Sequence, residues 1–274
     1  MKLATIRLDS GTAAVRVDGA TAVETGFADV GSLLRHEDWR DRARQADGSC
    51  HDSAGLDYAP LVPRPSKIIC VGLNYRSHIL ETGQEIPEYP TLFAKFAPAL
   101  IGAYDDIELP SVVEQMDWEA ELGLVVGARV RHADAEQADR AIAGFTVIND
   151  VSARDWQLRT LQWLQGKTFE GTTPIGPHLV CTDPGANTAP GEISCDVSGE
   201  LMQKADTDDL VFGPAQLISY ISTILTLEPG DVIATGTPGG VGMARSPQRF
   251  LTDGDMVVTR VEGVGELRNT CRRT

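Results

Sequence analysis

The segment Asp117-Trp118-Glu119-Ala120-Glu121-Leu122-Gly123-Leu124-Val125-Val126-Gly127 alternates two glutamates with small and apolar side chains. That period predicts a strand over 118–126. Side chains two apart on a strand share a face. Glu119 and Glu121 therefore point the same way, with Cα atoms about 7 Å apart. Ala120, Leu122, Leu124 and Val126 take the other, core-facing side. Two carboxylates on one face repel unless positive charge lies between them, and hard divalent cations favour oxygen ligands. On a half-exposed strand such a pair is ordinarily just solvated, so spacing alone does not make a metal site.

A third carboxylate comes from Val147-Ile148-Asn149-Asp150-Val151-Ser152-Ala153-Arg154-Asp155. Asp150 ends an apolar run, and a helix is expected from Ser152 to Leu164. Sites are commonly assembled at strand ends, but an aspartate there also suits a turn or a helix cap.

Working outward, residues 1–62 read as a small α+β unit. Two β-like runs, 3–8 and 13–17, flank the turn Asp9-Ser10-Gly11, and one helix is expected over 32–46. Pro60, Pro63 and Pro65 make a stiff linker, so a second domain is expected over 65–274. There, short strands are expected near 67–71, 105–109, 141–149, 230–234 and 256–261. Asp134-Ala135-Glu136-Gln137 has the form of a capping box. Leu217, Ile218, Ile221, Ile224 and Leu225 fall at helical spacing after Pro214. Many short strands with scattered helices predict a mainly-β α+β fold.

The chain has 274 residues, 42% of them hydrophobic, and a formal net charge of −15. Such a surface repels nucleic-acid phosphates, which argues against a nuclease or other nucleic-acid partner. No run approaches the roughly 18 apolar residues of a membrane span. Five widely spaced cysteines (Cys50, Cys70, Cys181, Cys195 and Cys271), without a C-x-x-C, exclude a disulfide framework and predict a reducing, cytoplasmic setting.

Seven ordered segments resemble the fumarylacetoacetate hydrolase family. They are Val71-Gly72-Leu73-Asn74-Tyr75-Arg76-Ser77-His78, Asp117 to Gly123, Asn149 to Asp155, and Gly166-Lys167-Thr168-Phe169. Thr173-Pro174-Ile175-Gly176-Pro177, Thr235 to Gly242, and Glu262-Gly263-Val264-Gly265 complete the set. The resemblance implies a mixed β-sandwich roll with a small N-terminal domain and a homodimeric assembly. It assigns Glu119, Glu121 and Asp150 to Mg²⁺ or Mn²⁺. Asn74 stands where some members carry a fourth acidic ligand.

His78 and Glu81, spaced i to i+3, share a face if the segment is helical. The resemblance makes them a general-base pair on a lid, with Thr82-Gly83-Gln84 as a hinge. It places Lys167 beside the metal as an oxyanion stabiliser, with Gln157, Thr237 and Tyr75 on the substrate. Arg154 is expected to brace the metal loop. Gly166-Lys167-Thr168 is not a P-loop, because Leu161 occupies the position of the required earlier glycine. Phe93, Trp156, Trp163 and Phe169 are candidate cavity walls.

The implied reaction is hydrolysis of a C–C bond in a small anionic 2,4-dioxo acid, an acylpyruvate such as fumarylpyruvate. The alternatives are oxaloacetate decarboxylation, dienoate isomerisation, and turnover of sugar-derived 2-oxo acids or ureidoglycolate. A non-catalytic metal-binding β domain is the reading from a different class.

Overall fold

The computed structural model describes residues 1–81, 83, 85–185 and 189–274, with only the backbone at Glu81. Thr82, Gln84 and the Glu81 side chain, all part of the expected lid, lie outside the described residues.

The fold is mainly β with short helices. An 11-stranded mixed sheet runs in the order Cys50–Asp52, Thr21–Glu24, Gly11–Asp18, Lys2–Leu8, Thr173–Cys181, Ile142–Asn149, Ala120–Val126, Val232–Ala234, Ile68–Gly72, Thr91–Lys95. Leu100–Ile101 adds to it in parallel beside Thr173–Cys181. A five-stranded sheet holds Glu200–Asp206, Glu192–Val197, Met256–Val261, Gly265–Arg273 and Ile107–Leu109.

Ala120–Val126 lies mid-sheet, antiparallel to Ile142–Asn149 (Ala120 opposite Asn149) and to Val232–Ala234 (Gly123 opposite Ala234). Every residue of Ala120–Val126 and Ile142–Asn149 is buried. The reason is packing on both faces. Ala120, Leu122, Leu124 and Val126 enter the larger apolar core with Val257, Val261 and Leu267 of the smaller sheet. On the other face Val125, Ala143 and Ile148 join Leu33, Leu34 and Trp39. Burying each of the leucine, valine and isoleucine side chains contributes about 1.5–3 kcal/mol.

The N-terminal strands continue the large sheet. Lys2 lies opposite Val180 and Leu3 opposite Leu179. The Thr5 hydroxyl donates to the Leu61 carbonyl across 2.7 Å and accepts from the Val30 amide.

Local expectations fare unevenly. The Asp134–Gln137 capping box is present, with both reciprocal bonds, and opens Ala135–Arg140. Pro214–Ile224 is a helix that buries Leu217, Ile218 and Ile221. The single helix over 32–46 is instead two, Val30–Leu34 and Trp39–Arg44. A capping box from Asp29, whose carboxylate accepts the Ser32 amide, starts the first of them early. The helix from Ser152 to Leu164 is broken. Ser152–Ala153 bridges Met116–Asp117 as strand, and only Arg154–Gln157 and Leu164–Lys167 are helical. Arg154 opens the first of these turned inward, held by its buried bonds to Asp117 and Gln157.

Candidate active site

Glu119, Glu121 and Asp150 converge, each offering an oxygen within 4.8 Å of the others, and all three are buried. Strand register brings them together. The Asp150 amide donates to the Glu119 carbonyl at 2.8 Å, continuing the pairing of Ala120 with Asn149. The Asn149 side chain fixes this corner. Its Oδ1 accepts the Glu119 amide at 2.9 Å, while its Nδ2 donates to Thr259 of the smaller sheet.

Each carboxylate has different company. Glu119 accepts from Lys167 at 2.5 Å and pairs with Arg154 at 2.6 Å. Burial alone would raise its pKa, but Lys167 and Arg154 outweigh that and hold it at about 2. Asp150 accepts from Lys95 at 2.6 Å through one oxygen and from Lys167 at 2.9 Å through the other. Glu121 accepts only the Gly236 amide, at 2.8 Å, and has no ion pair among the described residues. Burial, then the charges of Asp150 and Glu119, push its carboxyl well above the usual range. Burial works against the Lys167 charge, yet Asp150 and Glu119 raise its pKa, so its ammonium stays protonated.

This donor set fits a hard divalent cation: three oxygen ligands in reach, one of them lacking a counter-charge. Asn74 is not part of it. Its amide donates to the carbonyls of Phe212 and Thr235 and accepts the Phe212 amide, bracing the loop.

A cavity of about 180 Å³ opens on the site. Of the residues assigned to catalysis, substrate or metal in the sequence, His78, Glu119, Glu121, Gln157, Lys167 and Thr237 line it. Phe93 and Trp163 form apolar wall, whereas Trp156 and Phe169 pack edge-on against each other and do not line it. Gly72 makes room for Trp163, since a Cβ there would meet the indole at 2.5 Å. His78 sits on the helix Arg76–Glu81. Tyr75 is fully buried off the cavity wall, with no hydrogen-bond partner for its hydroxyl among the described residues.

Arg154 does brace the loop. It donates from Nε to Asp117 at 2.9 Å and from Nη1 to Gln157 at 2.9 Å, and it also reaches the cavity wall. Several working residues escaped the sequence reading. Lys95 ends the strand Thr91–Lys95, and a lysine closing an apolar run looks like a solvated end. Asp117 accepts the amides of Gly242 and Met243 and so holds the glycine-rich loop. Gln203, from the smaller sheet, accepts the Ala120 amide and donates to the Thr237 hydroxyl at 2.7 Å. Nothing near Gln203 in sequence announces that role.

Residues 67–272 match the fumarylacetoacetate (FAA) hydrolase C-terminal family. The chain belongs to the fumarylacetoacetate hydrolase family. A mitochondrial oxaloacetate tautomerase of Bos taurus is 47% identical over 210 residues, covering 76% of this chain and 67% of that protein. A fumarylacetoacetate hydrolase from Exiguobacterium antarcticum superposes with a TM-score of 0.88 at 29% identity, covering both chains completely. A 5-carboxymethyl-2-hydroxymuconate delta-isomerase from Mycobacterium smegmatis gives 0.83 at 32%, over 100% of this chain and 99% of that one. The relatives of this family member are enzymes. Among its described residues no helix is long and apolar enough to cross a membrane.

Proposed function

We propose that this enzyme interconverts the enol and keto forms of a small 2-oxo dicarboxylic acid, with oxaloacetate the first candidate, using Mg²⁺ or Mn²⁺. The observation that carries this reading is the 47% identity to an oxaloacetate tautomerase over 76% of this chain. The cavity, at about 180 Å³, is small beside the roughly 300–1,000 Å³ of ordinary ligand pockets and has room for a four-carbon diacid.

A divalent cation held by Glu119, Glu121 and Asp150 would, when bound, stabilise the negative charge of an enolised 2-oxo acid. The chain's own groups handle the proton. Ketonisation removes the proton from the O2 hydroxyl and adds one at C3, and no carbon–carbon bond breaks. Lys167, kept charged by its two carboxylates, donates to the developing O2 oxyanion. His78, on the cavity wall, accepts the O2 proton and delivers one to C3. Gln157, itself oriented by Arg154, and Thr237, oriented by Gln203, bind the carboxylate ends. Phe93 and Trp163 keep bulk water from the enolate.

Two further features belong to the same reading. Five free cysteines support a reducing compartment such as the cytoplasm. Leu158 and Leu161, 65% and 98% exposed, support a homodimer in which a second copy covers this edge.

The test follows ultraviolet decay of enol-oxaloacetate, CO₂ release and acylpyruvate loss together, using metal-stripped protein with and without Mn²⁺. Metal-dependent acceleration of enol decay without CO₂ is the expected result. Acylpyruvate cleavage with no effect on the enol would replace tautomerisation by C–C hydrolysis. CO₂ release would replace it by decarboxylation.

A further inference from the structure

A second cleft, of about 750 Å³, lies away from the carboxylates. Its walls are the end of the helix Val30–Leu34, the linker around Val62 to Ser66, the turn Gly127 to Arg129, and Glu228 to Gly230. Three strands connect the two places end to end. Ser66 precedes Ile68–Gly72, whose Gly72 lines the active-site cavity. Gly127 follows Ala120–Val126, which carries Glu121. Gly230 precedes Val232–Ala234, which leads to Thr237. A seven-residue strand spans about 20 Å, so the cleft and the candidate active site are separate.

The charge arrangement is unusual for a chain of net −15. Arg35 and Arg64 both line the cleft, and neither side chain has a hydrogen bond, ion pair or ring contact among the described residues. Every other arginine has one. A third, Arg129, pairs only with the rim residue Glu228, at 3.0 Å. Glu37 is the other acidic group on the wall. Leu34, Val62, Pro65 and Pro229 supply an apolar floor beneath these charges.

We propose that this cleft is a second ligand site, taking an organic polyanion with two or more phosphate or carboxylate groups on a compact body. Arg35 and Arg64 fork onto the anionic groups, since guanidinium geometry matches both carboxylate and phosphate. Arg129 can exchange its rim glutamate for the ligand. The floor receives the body. The volume, about fourfold that of the active-site cavity, admits a ligand larger than the substrate.

The experiment is calorimetric titration of the full chain with citrate and with ADP, at physiological ionic strength and without free divalent metal. One of the two is expected to bind with Kd below about 1 mM. The double variant Arg35→Ala/Arg64→Ala should weaken that binding at least about tenfold, and Glu121→Gln should leave it unchanged. Stronger ADP binding marks a phosphate ligand and stronger citrate binding a carboxylate one, and either supports the site. No binding of either probe overturns the proposal. So does binding that survives the double variant, or binding that Glu121→Gln abolishes.

Discussion

Lys95 donates to Asp150 across 2.6 Å, with both side chains sealed from solvent. A buried pair of this kind contributes little as a pair but costs much when one partner is removed. Lys95→Met keeps the length and removes the charge. It should destabilise the metal-free protein by about 3 kcal/mol. Added Mn²⁺ should recover more of the melting temperature in the variant than in the wild type. Thermal melts with and without Mn²⁺ check both statements.

Glu121→Gln removes the carboxylate that has no counter-cation of its own. Loss of groups that merely orient metal ligands costs about 10–100-fold in affinity. Loss of a ligand oxygen should cost on the order of 100-fold or more. Titration of metal-stripped protein with Mn²⁺, read by electron paramagnetic resonance, measures it. An unchanged affinity would remove Glu121 from the metal site.

His78→Ala should lower turnover by roughly 10²–10⁴-fold, the range of a general acid–base group, while Mn²⁺ affinity stays at the wild-type value. Steady-state rates and the same metal titration separate the two effects. Retained turnover would take the proton-transfer role from His78.

His178, on the strand Thr173–Cys181 of the large sheet, has its Nε2 3.3 Å from the Tyr58 hydroxyl. Burial, helped by the charge of Lys2, lowers its pKa from 6.5 to about 4. Between these values the unfolded chain binds the proton and the folded chain does not. The stabilisation is therefore complete above pH 6.5 and is lost as pH falls toward 4, amounting to about 3 kcal/mol. Calorimetric melts should show a smaller acid-side fall for His178→Phe than for wild type over that window.

Asp117→Asn should be among the most damaging single changes away from the metal. Asp117 accepts from Arg154 and from the amides of Trp118, Gly242 and Met243. An amide in its place leaves Arg154 paired with Glu119 alone among carboxylates, at a cost of about 3–5 kcal/mol. Gly242→Ala attacks the same corner differently, driving a Cβ into the Arg249 carbonyl and toward Asp117. Soluble yield and denaturant midpoints report on both.

The parts of the site visible in the sequence were those written in strand period. Glu119 and Glu121 share a face because i and i+2 must, and the opposite-facing Ala120, Leu122, Leu124 and Val126 do enter the core. Asp150 stood out as the polar end of an apolar run, but only the family resemblance gave it to the metal and gave Lys167 its place beside it. What stayed hidden depended on distant chain. Gln203 reaches Thr237 from another sheet, and Lys95 meets Asp150 across 55 positions. The two helices read too long, over 32–46 and 152–164, failed for a related reason. Asp29 caps the first helix early, and Arg154 bonds Asp117 across 37 positions; apolar spacing reports neither.

The carboxylates and the groups proposed to meet the substrate rest on different kinds of support. Glu121 and Asn149 belong to paired strands at the centre of the large sheet, and Asp150 follows directly. His78, Gln157 and Lys167 come from helices of four to six residues outside the sheets. Replacing the helix that carries His78 would exchange what the cavity admits while the oxygen cage stays where the sheet fixes it. The same framework can thus acquire a new substrate by piecemeal change, without passing through a form that has lost its metal site.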